Sequence, residues 1–157
     1  MTEIIEFFNG FTAPVLIIRI ILAGVCGGII GVERTLRQKD AGFRTHIVVA
    51  MGAALMMIIS KYGFYDLIIQ SLEGVDIRLD PSRMAQGIVT GVGFLGAGMI
   101  YIQRGSIRGL TTASGIWATS GIGMAIGSGM YFIGIAATVV ILLLQIYLHG
   151  KYRFMTQ

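Results

Sequence analysis

Apolar residues fill this chain in long blocks, separated by short polar breaks. From Met84 to Ile102 no side chain is charged, and only Gln86 and Thr90 are clearly polar. As a helix that run is about 28 Å long, close to the hydrocarbon thickness of a bilayer. Blocks of similar character run over Pro14–Val32, Thr45–Gly63, Thr111–Gly127 and Met130–Leu148. The pattern predicts an all-α polytopic membrane protein, a single transmembrane domain over residues 1–157 with five spans at about 14–32, 45–63, 84–102, 111–127 and 130–148. Two weaker amphipathic stretches are expected at the interface. One is a lead-in over 2–11; the other lies over 64–80, where Phe64, Leu67, Ile68 and Leu72 fall at helical spacing. Asp80 and Pro81 open the third span as N-cap and first helical residue.

Composition strengthens the membrane reading. Hydrophobic residues make up 55% of the chain and charged residues 13%, about half the charged share of ordinary globular domains. Twenty-three glycines would weaken helices in water but are at home in membrane helices. Cys26, the one cysteine, falls inside the first span and reads as a packing residue. Glu3 and Glu6 stand where a cleavable signal peptide would carry basic residues, so none is expected.

Charge sets the expected orientation. Arg34, Arg37, Lys39, Arg44, Arg104, Arg108, Lys151 and Arg153 all fall on one side of a five-span topology, which the positive-inside rule makes cytoplasmic. Lys61, Arg78 and Arg83 share the other side with Glu3, Glu6, Asp66, Glu73, Asp76 and Asp80. The N-terminus is therefore expected outside and the C-terminus in the cytoplasm. Orientation accounts for the net charge of +4, so nucleic acid is not an expected partner.

The third span contains Gly91, Gly93 and Gly96, a G-x-G-x-x-G match. A dinucleotide loop must follow a strand and be followed by an acid for the ribose, and no acid follows Asp80 anywhere. The glycines, with Gly87 and Gly98, read instead as a surface for close helix packing. The pairs Gly24/Gly28, Gly27/Gly31, Gly87/Gly91 and Gly123/Gly127 fit G-x-x-x-G spacing and predict a homo-oligomer, with a dimer favoured.

Two polar clusters are candidate functional sites. The turn from Glu33 to His46, with Arg34, Arg37, Lys39, Arg44 and Thr45, could bind a phosphate, an anionic head group or a partner protein. The plainer account is a topology anchor with local pairs such as Glu33 with Arg37. A carboxylate at a membrane boundary is costly unless paired, so Glu33 is expected in a buried interhelical ion pair with Arg44 or Arg108. At the opposite end, Arg19 lies inside the first span and needs a carboxylate or backbone oxygens; an outer cluster of Arg19, Asp80, Arg83 and Gln86 is expected. The plainer account there is an Asp80 cap and a snorkelling Arg83. His46 and His149 offer no metal-ligand spacing, no nucleophile–base pair is readable, and no cofactor is expected. Trp117 reads as a packing residue. Thr111, Thr112, Ser114, Thr119 and Ser120 are expected to bond backbone or neighbouring helices.

These residues carry a resemblance. Gly31, Glu33, Arg34, Arg37, Lys39, Ala41, Gly42, Arg44, Thr45 and His46, then Asp80, Arg83 and Gln86, then Gly93 to Gly98 and Gly109 to Thr112, together resemble the MgtC/SapB family of bacterial inner-membrane proteins. The resemblance covers about Gly24 to Tyr131; Met84, where relatives usually have alanine, departs from it. It implies a five-span membrane domain, adaptation to low magnesium and, in intracellular pathogens, virulence. It further implies action on other membrane proteins, ATP synthase among them. Many members carry a soluble C-terminal domain; the sequence ends at Gln157, so a role housed there is not carried over.

The reading that results is a non-enzymatic regulator of other membrane proteins, working through helix contacts and basic cytoplasmic turns. The alternative is a small magnesium or other cation transporter with a path along the Gly-rich third helix.

Overall fold

The computed structural model describes residues 13–64, 80 and 82–155. The expected lead-in over 2–11 and most of the expected interfacial stretch over 64–80 lie outside these residues. The described chain forms α1 (Ala13–Leu36), α2 (Phe43–Tyr62), α3 (Ser82–Gly98), β1 (Tyr101–Gln103), β2 (Ser106–Arg108), α4 (Leu110–Ser128) and α5 (Tyr131–Met155). Among the described residues, three stretches, Ala13–Leu36, Phe43–Tyr62 and Tyr131–Leu148, are long and apolar enough to cross a membrane.

The expected third span is corrected. Instead of continuing to Ile102, α3 stops at Gly98 after 17 residues. The chain then turns into an antiparallel hairpin that pairs Tyr101 with Arg108, Ile102 with Ile107 and Gln103 with Ser106. Arg104 (φ 50°) and Gly105 (φ 75°) form its two-residue turn, both in the left-handed region that such hairpins require. Arg104 and Arg108, expected on the cytoplasmic side, thus sit in a strand pair and its turn. Gly109, at φ 85°, then redirects the chain into α4, and a Cβ there would overlap the Met99 carbonyl.

Helix ends are fixed locally. After α1, the Gln38 N–H reaches the Thr35 carbonyl (3.0 Å) and the Lys39 N–H the Arg34 carbonyl (3.1 Å), a Schellman termination with Gln38 in the left-handed position. Thr35 latches the turn that follows: its hydroxyl donates to the Gly31 carbonyl (3.0 Å) and accepts the Phe43 N–H that opens α2 (2.8 Å). The α4–α5 connection repeats the Schellman pattern with Gly129 at φ 96°.

The core is a seam of α1, α2 and α4, in which Ala23, Cys26, Ile30, Ala50, Ala54, Ile122 and Ile126 are buried together. Glycine sets how closely these helices approach. A Cβ on Gly27 would lie 2.5 Å from the His46 carbonyl oxygen and 2.7 Å from the Ala50 Cβ. From the other side, a Cβ on Gly123 would overlap the Ala50 carbonyl, and one on Gly127 would lie 2.5 Å from the Ala54 oxygen. α2 is therefore clasped at Ala50 by α1 and α4 at once, the close packing that small residues allow. Gly24 and Gly28 face Met51, Ile47 and Phe43 of α2.

The glycines of α3 behave differently. Gly96 rests on Ala113 of α4, whereas Cβ atoms added at Gly87, Gly91, Gly93 or Gly98 would meet nothing within 4 Å. So the expected close packing around those four positions is not made within this protomer. Trp117, expected to pack, is 54% exposed on α4.

Candidate functional site

The helix ends alternate, so polar residues gather at two opposite ends of the seam. One end joins the start of α1 to the ends of α2 and α4 and the start of α5. There the Arg19 guanidinium donates to the Tyr131 hydroxyl (2.8 Å), the Tyr62 hydroxyl (3.0 Å) and the Gly127 carbonyl (3.2 Å). It also lies 5.5 Å from the centres of both tyrosine rings, within cation–π range. Lys61 donates nearby to the Ser128 carbonyl (3.1 Å).

This corrects the expected outer cluster. Asp80 is exposed and does not meet Arg19; its carboxylate accepts from the Ser82 N–H (3.0 Å) and approaches Arg83 at 3.6 Å. The hydrogen bonds from Ser82 hold its pKa below the usual aspartate value. Asp80 is a helix cap, Arg83 is exposed, and Gln86 is an exposed residue whose carbonyl accepts from the Thr90 hydroxyl (2.9 Å). Arg19 is satisfied by phenols and a carbonyl because Gly129 turns α5 back beside it. The aromatic residues at the ends of α2 and α5 were the available signal.

The other end joins the close of α1 to the starts of α2 and α4 and the later turns of α5. Glu33 and Arg34 are buried, 9% and 6% exposed. Glu33 is ion-paired with Arg37 one turn on, and the Arg34 Nε lies 4.0 Å from its second oxygen. The Arg34 Nη2 donates to the Thr111 carbonyl (2.6 Å), crossing to α4 where Gly115 leaves room for it. The interhelical partner expected for Glu33 is therefore corrected: Arg44 is exposed on α2 and Arg108 exposed on β2, and the i,i+4 pair takes their place. Glu33 instead lines a cleft together with residues of α4 and α5. Thr45 is likewise exposed, while Thr112 is buried.

His46 is fully buried beside them, its Nδ1 2.9 Å from the Gly42 carbonyl. A carbonyl only accepts, so Nδ1 carries the hydrogen, and Nε2 has no partner among the described residues. Among the described residues, no three His, Cys, Asp or Glu side chains come together as metal ligands.

A cleft of about 510 Å³ opens from this cluster between α4 and α5. Glu33, Arg34, Arg37 and Lys39 line its polar end; Ile141, Leu144 and Leu148 line its apolar wall. Gln145 of α5 also faces it, a residue that sequence reasoning missed. The available signal was a lone amide in the otherwise apolar run from Val139 to Leu148. Four buried atoms of these lining residues have no hydrogen-bond partner among the described residues: Glu33 Oε2, Arg34 Nε, Arg37 Nη1 and Gln145 Oε1. Lys39 and Thr111 also line a polar groove of about 450 Å³ that continues under the hairpin to Arg108.

Residues 20–153 match the MgtC family model. The chain is 53% identical to YhiD of Escherichia coli K12, whose name proposes a magnesium transporter, over 142 residues covering 90% of this chain and 64% of that protein. It is 39% identical to protein MgtC of Salmonella typhimurium LT2, over 132 residues covering 84% of this chain and 52% of that one. The chain thus spans between half and two thirds of the length of these relatives. No solved structure matches it. On the family match and these identities, this membrane protein belongs to the MgtC family.

Proposed function

We propose that the chain is a non-enzymatic membrane domain that acts by contact with other membrane proteins, not by passing an ion itself. In this reading it crosses the bacterial inner membrane five times, with the Arg19 end outside and the Glu33 end at the cytoplasm. It serves adaptation to low magnesium and, in a pathogen, virulence. The observation that carries the reading is the seam between the two polar ends. A path through the seam of α1, α2 and α4 would have to pass Ala50, where Gly27 and Gly123 bring three helix backbones together. The hydroxyls deeper in the bundle turn inward to their own helices: Thr119 donates to the Gly115 carbonyl (2.8 Å), Ser120 to Trp117 (2.7 Å) and Thr138 to Gly134 (2.8 Å).

The open glycine face of α3 is the contact surface in this reading. A second copy of the chain is its favoured occupant, as a homodimer, and ATP synthase is the heterologous partner that the family resemblance suggests. The transport reading draws on the name of YhiD. Magnesium flux into proteoliposomes decides between the two. The contact reading expects a flux no greater than that of protein-free vesicles. Flux that depends on Glu33 or on the α3 glycines would establish transport instead.

A further inference from the structure

A polar group buried away from water is costly to leave without a partner. Among the described residues, four buried atoms on side chains that line one cleft have no hydrogen bond. Glu33 Oε2 and Arg34 Nε lie 4.0 Å apart as a loose ion pair, while Arg37 Nη1 and Gln145 Oε1 have no partner, and such a cluster marks a site built for something else to complete. Two are donors, Arg34 Nε and Arg37 Nη1, and two are acceptors, Glu33 Oε2 and Gln145 Oε1. Charge narrows the occupant. Two guanidinium groups and the Lys39 ammonium face a single carboxylate, so the cleft is short of negative charge. Guanidinium pairs recognise phosphate oxygens well. The wall narrows it further, since Ile141, Leu144 and Leu148 carry the cleft out to the exposed side of α5, where a soluble anion would find only aliphatic surface.

We propose that this cleft binds a phospholipid, its phosphodiester on Arg34, Arg37 and Lys39 and an acyl chain along the α5 wall. The unpartnered Gln145 oxygen then takes hydrogen from the head group, which selects hydroxyl- or ammonium-bearing head groups such as glycerol or ethanolamine over choline. The inference requires the chain to sit in a membrane, but not that it act by contact; it stands equally if the chain transports an ion.

The full chain in mild detergent, delipidated and titrated with defined lipids, tests it by native mass spectrometry and by displacement of a fluorescent phosphatidylglycerol. Phosphatidylglycerol and phosphatidylethanolamine should be retained in preference to phosphatidylcholine, and diacylglycerol should not be retained. Arg37→Gln and Lys39→Gln should each weaken retention roughly tenfold, the loss of one charge-assisted contact. Arg44→Gln removes an exposed basic residue at the same end and should change nothing. Gln145→Leu should reduce the preference over phosphatidylcholine while leaving phosphate binding in place. Should Arg37→Gln fail to fold, the exposed Lys39 and the Gln145 variant still carry the test. The proposal is overturned if Arg44→Gln weakens retention as much as Lys39→Gln, because surface charge alone would then explain binding. Diacylglycerol binding equally well would overturn it, as would inorganic phosphate displacing the probe as effectively as the lipid, which would assign the site to a soluble anion.

Discussion

The two polar ends of this bundle handle the same problem, arginine in a membrane helix, in different ways. At one end Arg19 places Nε and Nη1 on two phenols and a carbonyl and lies against two aromatic rings. At the other, Arg34 and Arg37 share one carboxylate and leave donors unused beside unused acceptors. The Arg19 node ties α1 to the ends of α2 and α4 and the start of α5, with a partner on each of those three helices, as expected of a structural joint. The Glu33 cluster is buried, charged and open to a cleft, as expected of a site that waits for a ligand. The difference separates what holds the bundle together from what the bundle is for.

Changes along the seam that joins the ends should have the largest effect. Gly123→Val forces a branched side chain into the Ala50 backbone and should cost at least ~3 kcal/mol, read as loss of monodisperse protein on size exclusion. Normal folding would mean that the seam is looser than described. Next comes the closed end. Arg19→Met strips donors from Tyr62, Tyr131 and Gly127 and should destabilise by about 2 kcal/mol in thermal melts, with lipid retention at the far end unchanged.

Asp80→Ala removes an exposed cap and should lower the melting temperature only slightly, with Arg19 undisturbed. Its pH dependence has a definite sign: a carboxyl held below its unfolded pKa contributes stability at neutral pH and loses it as pH falls through the aspartate range. The smallest effect belongs to the open end. Gln145→Leu replaces an amide whose oxygen has no partner, and stability should change by no more than ~0.5 kcal/mol. A large loss there would show that the amide is already satisfied, and the contrast between the two ends would fail.

Much of the helical architecture was legible because length and polarity alone define apolar blocks; α1, α2, α4 and α5 begin within about two residues of expectation. The end of α3 was not, because Tyr101 and Ile102 are apolar and extend a hydrophobic run while β-branching, aromatic character and the Arg104–Gly105 turn favour a hairpin. Within the site, Glu33, Arg34, Arg37 and Lys39 were legible as a charged cluster at a boundary. Their partners were not, because which helix faces a given arginine depends on packing. Arg19 illustrates this: charge complementarity pointed to Asp80, whereas the turn at Gly129 delivers Tyr131. Gln145 was overlooked because a single amide barely alters the hydropathy of a span.

Cys26 offers the most direct test of the account. It is 4% exposed, lies in the seam between the two ends, and is the chain's one cysteine. In sealed vesicles carrying the wild-type protein, a small water-soluble maleimide should leave Cys26 unmodified and should label it fully once the protein is unfolded in detergent. Labelling of the folded protein at a rate near that of a free thiol, with magnesium present on either side, would reveal water in the seam and contradict the claim that the bundle is closed between its two ends.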